Sequence, residues 1–379
     1  MAGVGMLTPA IAFGDAAADD FAAGCVRAIR GQMAALPDGP VLLNSYLVET
    51  GAADFDLTQA AAAYVYDNAL AGLLLLAAGD KDGARRIGAA LEIAQGHDPF
   101  YNDGRLRNAY MAGAVAAPAK LPGWWDAQAG RWAEDPYQIG SESGPMAWAM
   151  LLWAALGMRA PADAAGDFLD DQLRADAGYY GGFYGFEPKP LKLTWQSTEQ
   201  NTDLYAAFSR LGRAEDAAQA KKFVTAMWDA GSGRFDAGTA PDGAVNHLGA
   251  ADAGIWPYLA GLGTAESALT AIKALRRGAG IGFSDASASI WLEGTAFAAL
   301  ALRQMRDPLA AIFFAALAQN LSPQGYVYAT VAPELATGLT TGPSLQKGVP
   351  EQAFNYFRRP ALSTTAWAGL AAMGINPLG

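Results

Sequence analysis

Six segments of this chain are almost continuously apolar, and polar side chains precede each of them. The segment 197–212 illustrates the pattern: hydroxyl and carboxyl groups come first, an apolar helical stretch follows, and a glycine ends it. The other five segments follow Tyr66-Asp67-Asn68, Ser141-Glu142-Ser143, residues 247–252, Trp291-Leu292-Glu293 and Ser363-Thr364-Thr365. A helix that is apolar on all sides is a buried helix. The chain is therefore predicted to contain a central layer of six buried helices covered by other elements.

More charged helical segments alternate with the buried ones. Helices are predicted at 15–36, 58–78, 80–95, 146–156, 161–175, 198–211, 214–228, 250–262, 264–277, 291–305, 307–320 and 363–374. Long strand patterns are absent, and residues 325–331 are the candidate for a short hairpin. This alternation predicts an all-α, single-domain protein over residues 1–379, built as a closed ring of six helical hairpins.

In such a ring the six inner helices are parallel, so their N-terminal ends meet at one mouth. Loops that lead into inner helices also gather there, and the long ones at 96–140, 178–195 and 322–360 are too long to be inert connections. The polar residues that precede the apolar segments are therefore expected to surround one site.

Composition excludes several other classes of function. The net charge of -11 and a pI near 4.7 argue against nucleic acid, which requires clustered Lys and Arg. A single cysteine, Cys25, and two histidines, His97 and His247, argue against a metal centre. No stretch offers about 20 uninterrupted apolar residues, as a membrane span needs. We therefore predict no metal, no cofactor, no nucleic acid and no membrane span, and leave the oligomeric state open.

The first residues are apolar but lack a basic segment. Residues 1–14 fit either the remnant of a trimmed export signal or a packed N-terminal arm. Both a periplasmic or secreted location and a cytoplasmic one stay open.

Carboxyl groups dominate the expected mouth. Two carboxyl groups in one site can divide acid and base work, because one stays protonated and donates to a leaving oxygen while the other is ionised and activates water or attacks. Close like charges raise the pKa of one of them, as an acid requires. The catalytic candidates are Glu199 as the acid, with Glu293, Glu142 or Asp67 as its partner.

Other residues of the same segments are candidates for binding a saccharide. Aromatic rings offer flat apolar surfaces for stacking, and arginines bind carboxylates or hydroxyls with two donors. The candidates are Asp203, Asp252, Tyr66, Asn68, Arg105, Arg107, Tyr110, Trp124, Trp125, Trp195, Trp256, Trp291, Tyr356 and Arg358.

A purely structural interpretation accompanies several of these residues. Glu142 and Glu199 lie at helix starts, where a carboxylate is favourable in any protein. Ser197 and Gln200 fit a capping box. Asp203 lies on the same helix face as Glu199 but one turn deeper, so a buried carboxyl is expected there.

The helix alternation with acidic, aromatic-rich helix starts resembles the six-hairpin (α/α)6 toroid superfamily, which contains glycosidases, polysaccharide lyases and sugar epimerases. The resemblance covers nearly the whole chain and implies a carbohydrate substrate. It also implies that the acylglucosamine epimerase type would need histidine pairs, which two histidines supply poorly. An inverting glycoside hydrolase is therefore the leading hypothesis. The alternatives are a lyase or epimerase acting on uronic acids, with Tyr66, Tyr110 or Tyr356 moving the proton, and a non-catalytic carbohydrate-binding toroid.

Overall fold

A computed structural model describes residues 14–48 and 54–379. The expectation for the N-terminal arm concerns residues that lie outside the described part, apart from Gly14. Within the described part, the helices are α1 (Asp15–Ala34), α2 (Asp54–Gln59), α3 (Val65–Ala77), α4 (Lys81–Gly96), α5 (Ser143–Leu156), α6 (Arg159–Leu173), α7 (Thr198–Leu211), α8 (Ala214–Ala226), α9 (Ala251–Leu259), α10 (Ala265–Leu275), α11 (Leu292–Gln304), α12 (Leu309–Ala318) and α13 (Leu362–Met373).

The six predicted buried helices contact one another in cyclic order. α3 packs against α5, α5 against α7, α7 against α9, α9 against α11, α11 against α13, and α13 returns to α3. A second set of helices lies outside them: α4 packs on α3, α6 on α5, α8 on α7, α10 on α9, α12 on α11 and α1 on α13. Each outer helix except α1 follows its inner partner directly in the chain, so local hairpins build the two layers.

Burial and helix ends follow from the sequence pattern. Every residue of α11 from Leu292 to Leu302 is buried, as an apolar helix in a central layer requires. The outer helix α1 buries one stripe, formed by Phe21, Cys25, Ile29 and Met33. Three inner helices end at a glycine with positive φ, namely Gly157, Gly212 and Gly374, which is the usual left-handed helix stop.

The strands in the described part of the chain are short and lie in the connections. They are β1 (Val41–Leu42), β2 (Ala62–Tyr64), β3 (Ala109–Met111), β4 (Gly113–Ala114), β5 (Trp124–Asp126), β6 (Arg131–Ala133), β7 (Ser141–Glu142), β8 (Gly182–Tyr184), β9 (Leu191–Leu193), β10 (Gln196–Ser197), β11 (Trp228–Asp229), β12 (Arg234–Phe235), β13 (Gly238–Thr239), β14 (Val245–Asn246), β15 (Arg276–Arg277), β16 (Gly280–Ile281), β17 (Glu334–Thr340) and β18 (Ala353–Phe357).

Two sequence predictions need correction. The predicted helix 58–78 is interrupted: α2 ends at Gln59, and β2 pairs antiparallel with β3 before α3 begins at Val65. The predicted hairpin at 325–331 does not form as one. Instead, Val327 and Tyr328 make isolated bridges to Leu321 and Pro360, and the long hairpin is β17–β18. The β2–β3 pairing and the Tyr328–Pro360 bridge both join segments distant in the chain, whereas the Leu321–Val327 bridge is local.

Among the described residues, no helix combines the length and apolar character that crossing a membrane requires.

Candidate active site

A cavity of about 1520 Å³ opens at the N-terminal ends of the inner helices. It exceeds the roughly 300–1,000 Å³ of a typical small-molecule pocket, so it has room for more than one sugar ring. All six carboxyl groups singled out in the sequence line it: Asp67, Glu142, Glu199, Asp203, Asp252 and Glu293.

The inner helices begin in the same way, which explains this convergence. Each has an N-cap residue in an extended conformation: Tyr64, Glu142, Ser197, Ala250, Trp291 and Ala361. The second residue after each cap lines the cavity, and these residues are Tyr66, Gly144, Glu199, Asp252, Glu293 and Ser363. One repeated position therefore forms a ring around the cavity wall.

The fourth residue after the cap has a structural task in four of the six helices. The Asn68 amide donates to the Tyr64 carbonyl and binds the Leu43 backbone through both its groups. The Asn201 amide makes the corresponding bonds to Ser197 and Tyr179. Thr295 and Thr365 likewise donate to the carbonyl of their own cap and accept a backbone N–H from another segment. The prediction that Asn68 binds substrate is therefore corrected: its amide secures the start of α3.

An aromatic ring occupies the sixth position after the cap in four inner helices, and two of these rings, Trp148 and Trp256, line the cavity as its floor. Trp148, Trp256, Phe297 and Trp367 occupy this position in α5, α9, α11 and α13, and neighbouring ring centroids lie 5.5–5.8 Å apart. These rings close the centre of the helix layer below the acidic wall.

Asp203 occupies the same position in α7 and is the exception among these residues. Its side chain is buried, with 1% of the residue exposed. Burial raises its pKa well above the ordinary range, against the smaller opposing effect of the nearby Trp148 indole. Within the described part of the chain, Oδ1 of Asp203 and Nε1 of Trp148 and Trp256 make no well-formed hydrogen bond, although the Trp148 indole lies near enough to the Asp203 carboxyl group to lower its pKa. The floor therefore offers unused acceptor and donor atoms.

The charges of the acidic cluster act most strongly on the carboxyl group of Glu199. Burial raises the pKa of its carboxyl well above the ordinary range, and four charges raise it further: those of Asp252, Asp203, Glu142 and Glu293. A carboxyl in this environment holds its proton to a higher pH than an ordinary glutamate does.

Glu293 is held by two hydroxyl donors. Tyr66 donates a hydrogen bond of 2.6 Å to Oε1, and Ser363 donates one of 2.7 Å to Oε2. The Trp367 indole in turn donates to the Tyr66 hydroxyl at 2.8 Å. Burial raises the pKa of Glu293 to about 7, while the two hydroxyl groups act against that rise because they favour the ionised form.

Glu142 is the N-cap of α5 and contacts the neighbouring helix. The Gln200 amide donates to Glu142 Oε2 at 2.9 Å, and Ser143 donates to the Gln200 carbonyl oxygen at 2.7 Å. Burial raises the pKa of Glu142 to about 7. Ser197 does cap α7 by accepting the Gln200 N–H, but the Gln200 side chain binds Glu142 instead of completing a capping box.

Asp67 and Asp252 complete the set in opposite ways. Burial, and then the charge of Glu293, raise the pKa of Asp67 well above the ordinary range, which favours its protonated form. Burial raises the pKa of Asp252 only to about 6, because the Ala253 N–H donates to its Oδ1 at 2.7 Å. Asp252 is thus ionised at neutral pH, and its charge raises the pKa of both Glu199 and Glu293.

Aromatic side chains from the long loops form the upper wall. Trp124, Trp195, Trp291 and Tyr356 line the cavity, and the rings of Trp291 and Tyr356 lie 5.4 Å apart. The β17–β18 hairpin contributes further residues of this wall, among them Glu334 and Phe354.

Two arginines are not where the sequence hypothesis put them. Arg107 is 2% exposed, and its guanidinium binds Asp98, Glu187 and the Ile139 carbonyl. Arg105 binds Asp103 through two nitrogens and stacks on the Tyr101 ring. Neither lines the cavity, so their predicted role in substrate binding is corrected to one of holding the 98–107 loop.

Three further candidates also lie outside the cavity wall. Tyr110 is buried, and its hydroxyl accepts the Arg107 N–H. Trp125 faces solvent with 61% of its surface exposed, because adjacent strand residues point to opposite faces and Trp124 takes the inner one. The Arg358 guanidinium stacks on Tyr328, 3.8 Å from its ring centroid. The predictions that these three bind substrate in the cavity are therefore corrected.

The sequence analysis missed Ser363 and Gln200 as partners of the carboxyl groups, and Trp148 and Trp367 as aromatic rings below the acidic wall. The signal was available: counting from each helix start places Ser363 at the position of Glu199, and Trp148 and Trp367 at the position of Asp203.

The cavity is strongly acidic. Nine Asp and Glu side chains line it, and Lys192 is the only cationic side chain of the described residues that does so. The Lys192 ammonium donates to the Gln172 carbonyl at 2.6 Å and is exposed, so it is directed away from the acidic wall. Across the described ranges, no three Asp, Glu, His or Cys side chains converge as metal ligands would.

No protein-family model matches the chain, and no curated protein matches it in sequence. Solved structures do. A glycosidase in complex with glucose aligns with a TM-score of 0.61 and 14% identity over 96% of this chain and 98% of that one. A D-mannose isomerase aligns with a TM-score of 0.63 and 10% identity over 97% and 98%.

The cellobiose 2-epimerase of Spirochaeta thermophila aligns with a TM-score of 0.58 and 13% identity over 94% and 95%. At these identities the similarity establishes the fold. The chain shares the six-hairpin glycosidase-like fold of these structures over nearly its whole length.

Proposed function

We propose that this protein is an inverting glycoside hydrolase that uses Glu199 as general acid and Glu293 as general base, on a closed (α/α)6 toroid. The observation that carries the proposal is the contrast between these two carboxyl groups at the same position of α7 and α11. One is surrounded by four other carboxyl groups, and the other accepts two hydroxyl donors.

Glu199 suits the acid because its raised pKa favours the protonated form in the free protein. In the proposed reaction its carboxyl donates that proton to the glycosidic oxygen while the bond from that oxygen to the anomeric carbon breaks. The ionised Asp252 supports this role, because of the four neighbouring carboxylates it has the largest effect on the pKa of Glu199.

Glu293 suits the base because two hydrogen bonds orient it and favour its ionised form. It takes a proton from a water molecule whose oxygen bonds to the anomeric carbon on the face opposite the leaving group. The anomeric configuration therefore inverts. Glu199 has then lost one proton and Glu293 has gained one, and proton exchange with the solvent restores both groups.

Three observations favour hydrolysis over epimerisation or elimination. Acylglucosamine-type epimerases of the fold that this chain resembles need a pair of histidines for proton transfer. Neither His97 nor His247 lines the cavity. A lyase with a tyrosine base would need a tyrosinate, but burial raises the pKa of Tyr66 and Tyr356 well above the ordinary range. A uronate would also meet nine acidic side chains in the cavity wall.

The second candidate function is sugar binding without turnover. A buried cluster of carboxyl groups would bind the hydroxyl groups of a sugar even if it catalysed no reaction, so turnover has to be measured directly.

The test is a hydrolysis screen of purified protein against neutral, amine-bearing and uronic-acid oligosaccharides. Proton NMR would follow new reducing ends, the first anomer formed and any epimer, and ultraviolet absorbance would report elimination. We expect new reducing ends of inverted configuration. Glu199→Gln should lower turnover by about 10³-fold, within the range for a lost general acid.

Substrates with an activated leaving group separate the two roles. A nitrophenolate departs without protonation, so Glu199→Gln should retain much of its activity on a nitrophenyl glycoside while Glu293→Gln should not. The control is Glu215→Gln, an exposed glutamate of α8 outside the cavity. Retained configuration would refute inversion, and wild-type activity of Glu199→Gln on natural linkages would refute the acid. An epimer or an absorbing product would replace hydrolysis by one of the other reactions.

A further inference from the structure

We propose that the saccharide bound in this cavity carries a protonated amine, as glucosamine does, and that Asp203 receives the ammonium group at the floor. Turnover of such a saccharide rests on the proposed function. The preference for binding an amine is argued from the residues that line the cavity and does not depend on that function.

The first observation is the charge of the cavity wall. Nine carboxyl side chains line the cavity, and Lys192 is the one cationic side chain of the described residues that lines it as well. The Lys192 ammonium group is already bound to the Gln172 carbonyl. The segments 1–13 and 49–53 contain no Lys, Arg or His. Charges confined in a low-dielectric cavity attract an oppositely charged ligand strongly. Among the described residues Lys192 is the only cation of this wall, so a cationic ligand is the complementary one.

The second observation is Asp203 itself. In the other five inner helices the sixth residue after the cap is apolar or aromatic: Leu70, Trp148, Trp256, Phe297 and Trp367. A carboxyl at this depth is costly unless it has a partner. Oδ1 of Asp203 makes no well-formed hydrogen bond among the described residues, and the group lines the cavity. A donor from a ligand would satisfy it.

The third observation is the set of rings around that carboxyl group. Trp148 and Trp256 line the cavity and pack against each other with centroids 5.6 Å apart. Tryptophan rings that line a cavity attract ammonium groups through their faces. The Trp256 indole N–H, which has no partner among the described residues, remains for a hydroxyl oxygen of the sugar.

An organic cation fits better than a metal ion. Metal ions need several ligands at one point, and the described residues offer no such group of three. The carboxyl groups are instead spread around the ring and down to the floor, over a cavity that has room for more than one sugar. An oligosaccharide with one amine on each ring spreads its charges in the same way.

Calorimetry with matched ligands tests the proposal. The wild-type protein would be titrated with glucosamine, glucose and glucuronic acid. The Glu199→Gln variant would be titrated with β-1,4-linked trimers of glucosamine, N-acetylglucosamine and glucose. We expect glucosamine to bind at least about 10-fold more tightly than glucose, as a charge-assisted hydrogen bond implies, and glucuronic acid to bind most weakly. Equal or weaker binding of the amine, or no binding of any of these sugars, would overturn the proposal.

The variant Asp203→Asn keeps the shape of the side chain and removes its ability to ionise when an ammonium group binds. It should lower the affinity for the glucosamine trimer by about 10-fold and leave that for the glucose trimer within about 3-fold. Asp171→Asn, at an exposed position of α6 outside the cavity, is the matched control and should change neither. An unchanged amine preference in Asp203→Asn would overturn the assignment to Asp203. The ligand comparison on the wild-type protein remains decisive if this variant does not fold.

The outcomes also separate this inference from the hydrolysis proposal. Hydrolysis of neutral glucans without a preference for amines would support the hydrolase proposal and refute the amine preference. A preference for amines without turnover of any oligosaccharide would support the amine preference and refute the hydrolase proposal.

Discussion

The phenol hydroxyl of Tyr66 donates a 2.6 Å hydrogen bond to Glu293 Oε1, although the two residues are 227 positions apart in the chain. They occupy the same position of α3 and α11, two helix starts that face one cavity. The contact joins a catalytic candidate to the Trp367 indole, which donates to the same hydroxyl. Its consequences can be measured.

Tyr66→Phe should weaken the base. The hydroxyl favours the ionised form of Glu293, so its loss moves the pKa of this group above about 7. A base acts when ionised, so the acidic limb of the kcat/KM profile should shift to higher pH, with activity about 10-fold lower at pH 6. Tyr326→Phe is the control, because this buried tyrosine donates to Gln32 away from the cavity. An unmoved acidic limb in Tyr66→Phe would contradict the assignment of Glu293.

The acidic cluster should make the protein less stable as pH rises. Burial raises the pKa of Glu142 from 4.5 to about 7 in the folded protein, so the folded state binds more protons than the unfolded state between these values. The stabilisation is complete below pH 4.5 and is lost as pH rises through 7. Glu142→Gln removes this loss, of order 3 kcal/mol in the free energy of unfolding. Urea unfolding at pH 5 and pH 8 measures it, with Glu215→Gln as control. A wild-type protein equally stable at both pH values would contradict the prediction.

The helix-start hydrogen bonds should contribute to stability where they exist. Thr365→Val removes the acceptor of the Val327 N–H and leaves that group buried, at a cost of about 1–3 kcal/mol in the free energy of unfolding. Thr364→Val is a matched control one residue away. Its buried hydroxyl has no hydrogen-bond partner within the described ranges, so this change should be neutral or slightly stabilising. Equal losses in the two variants, measured by urea unfolding, would show that the hydrogen bond does not matter.

Arg107 should act on stability and not on substrate binding. Arg107→Leu leaves the buried carboxylates of Asp98 and Glu187 without their cation, at a cost of about 3–5 kcal/mol. Arg159→Leu, which removes an exposed pair with Asp163, should change the melting temperature little. If the folded fraction of Arg107→Leu loses affinity for sugars while its melting temperature is unchanged, the original interpretation of Arg107 as a substrate group would be restored.

The sequence by itself determined the helix layers and the end of the molecule at which acidic groups meet. The apolar segments at 143–156 and 292–304 have no polar face, so they had to be central, and helix direction places their first residues at one mouth. Three of the six inner helices carry an acid at the second position after the cap, namely Glu199, Asp252 and Glu293. These are consequences of local periodicity, which a chain carries in its residue order.

Tertiary structure decided what each side chain meets. Arg107 was a candidate substrate group because it lies in a long loop, and Asn68 because it precedes an apolar helix. In the structure Arg107 forms ion pairs with Asp98 and Glu187, and Asn68 hydrogen-bonds to the Leu43 backbone. Ser363 looked like an ordinary helix-start hydroxyl until it lay against Glu293, 70 positions away. Burial, pairing and pKa depend on neighbours distant in the chain, and residue order does not specify those neighbours until the ring of helices has closed.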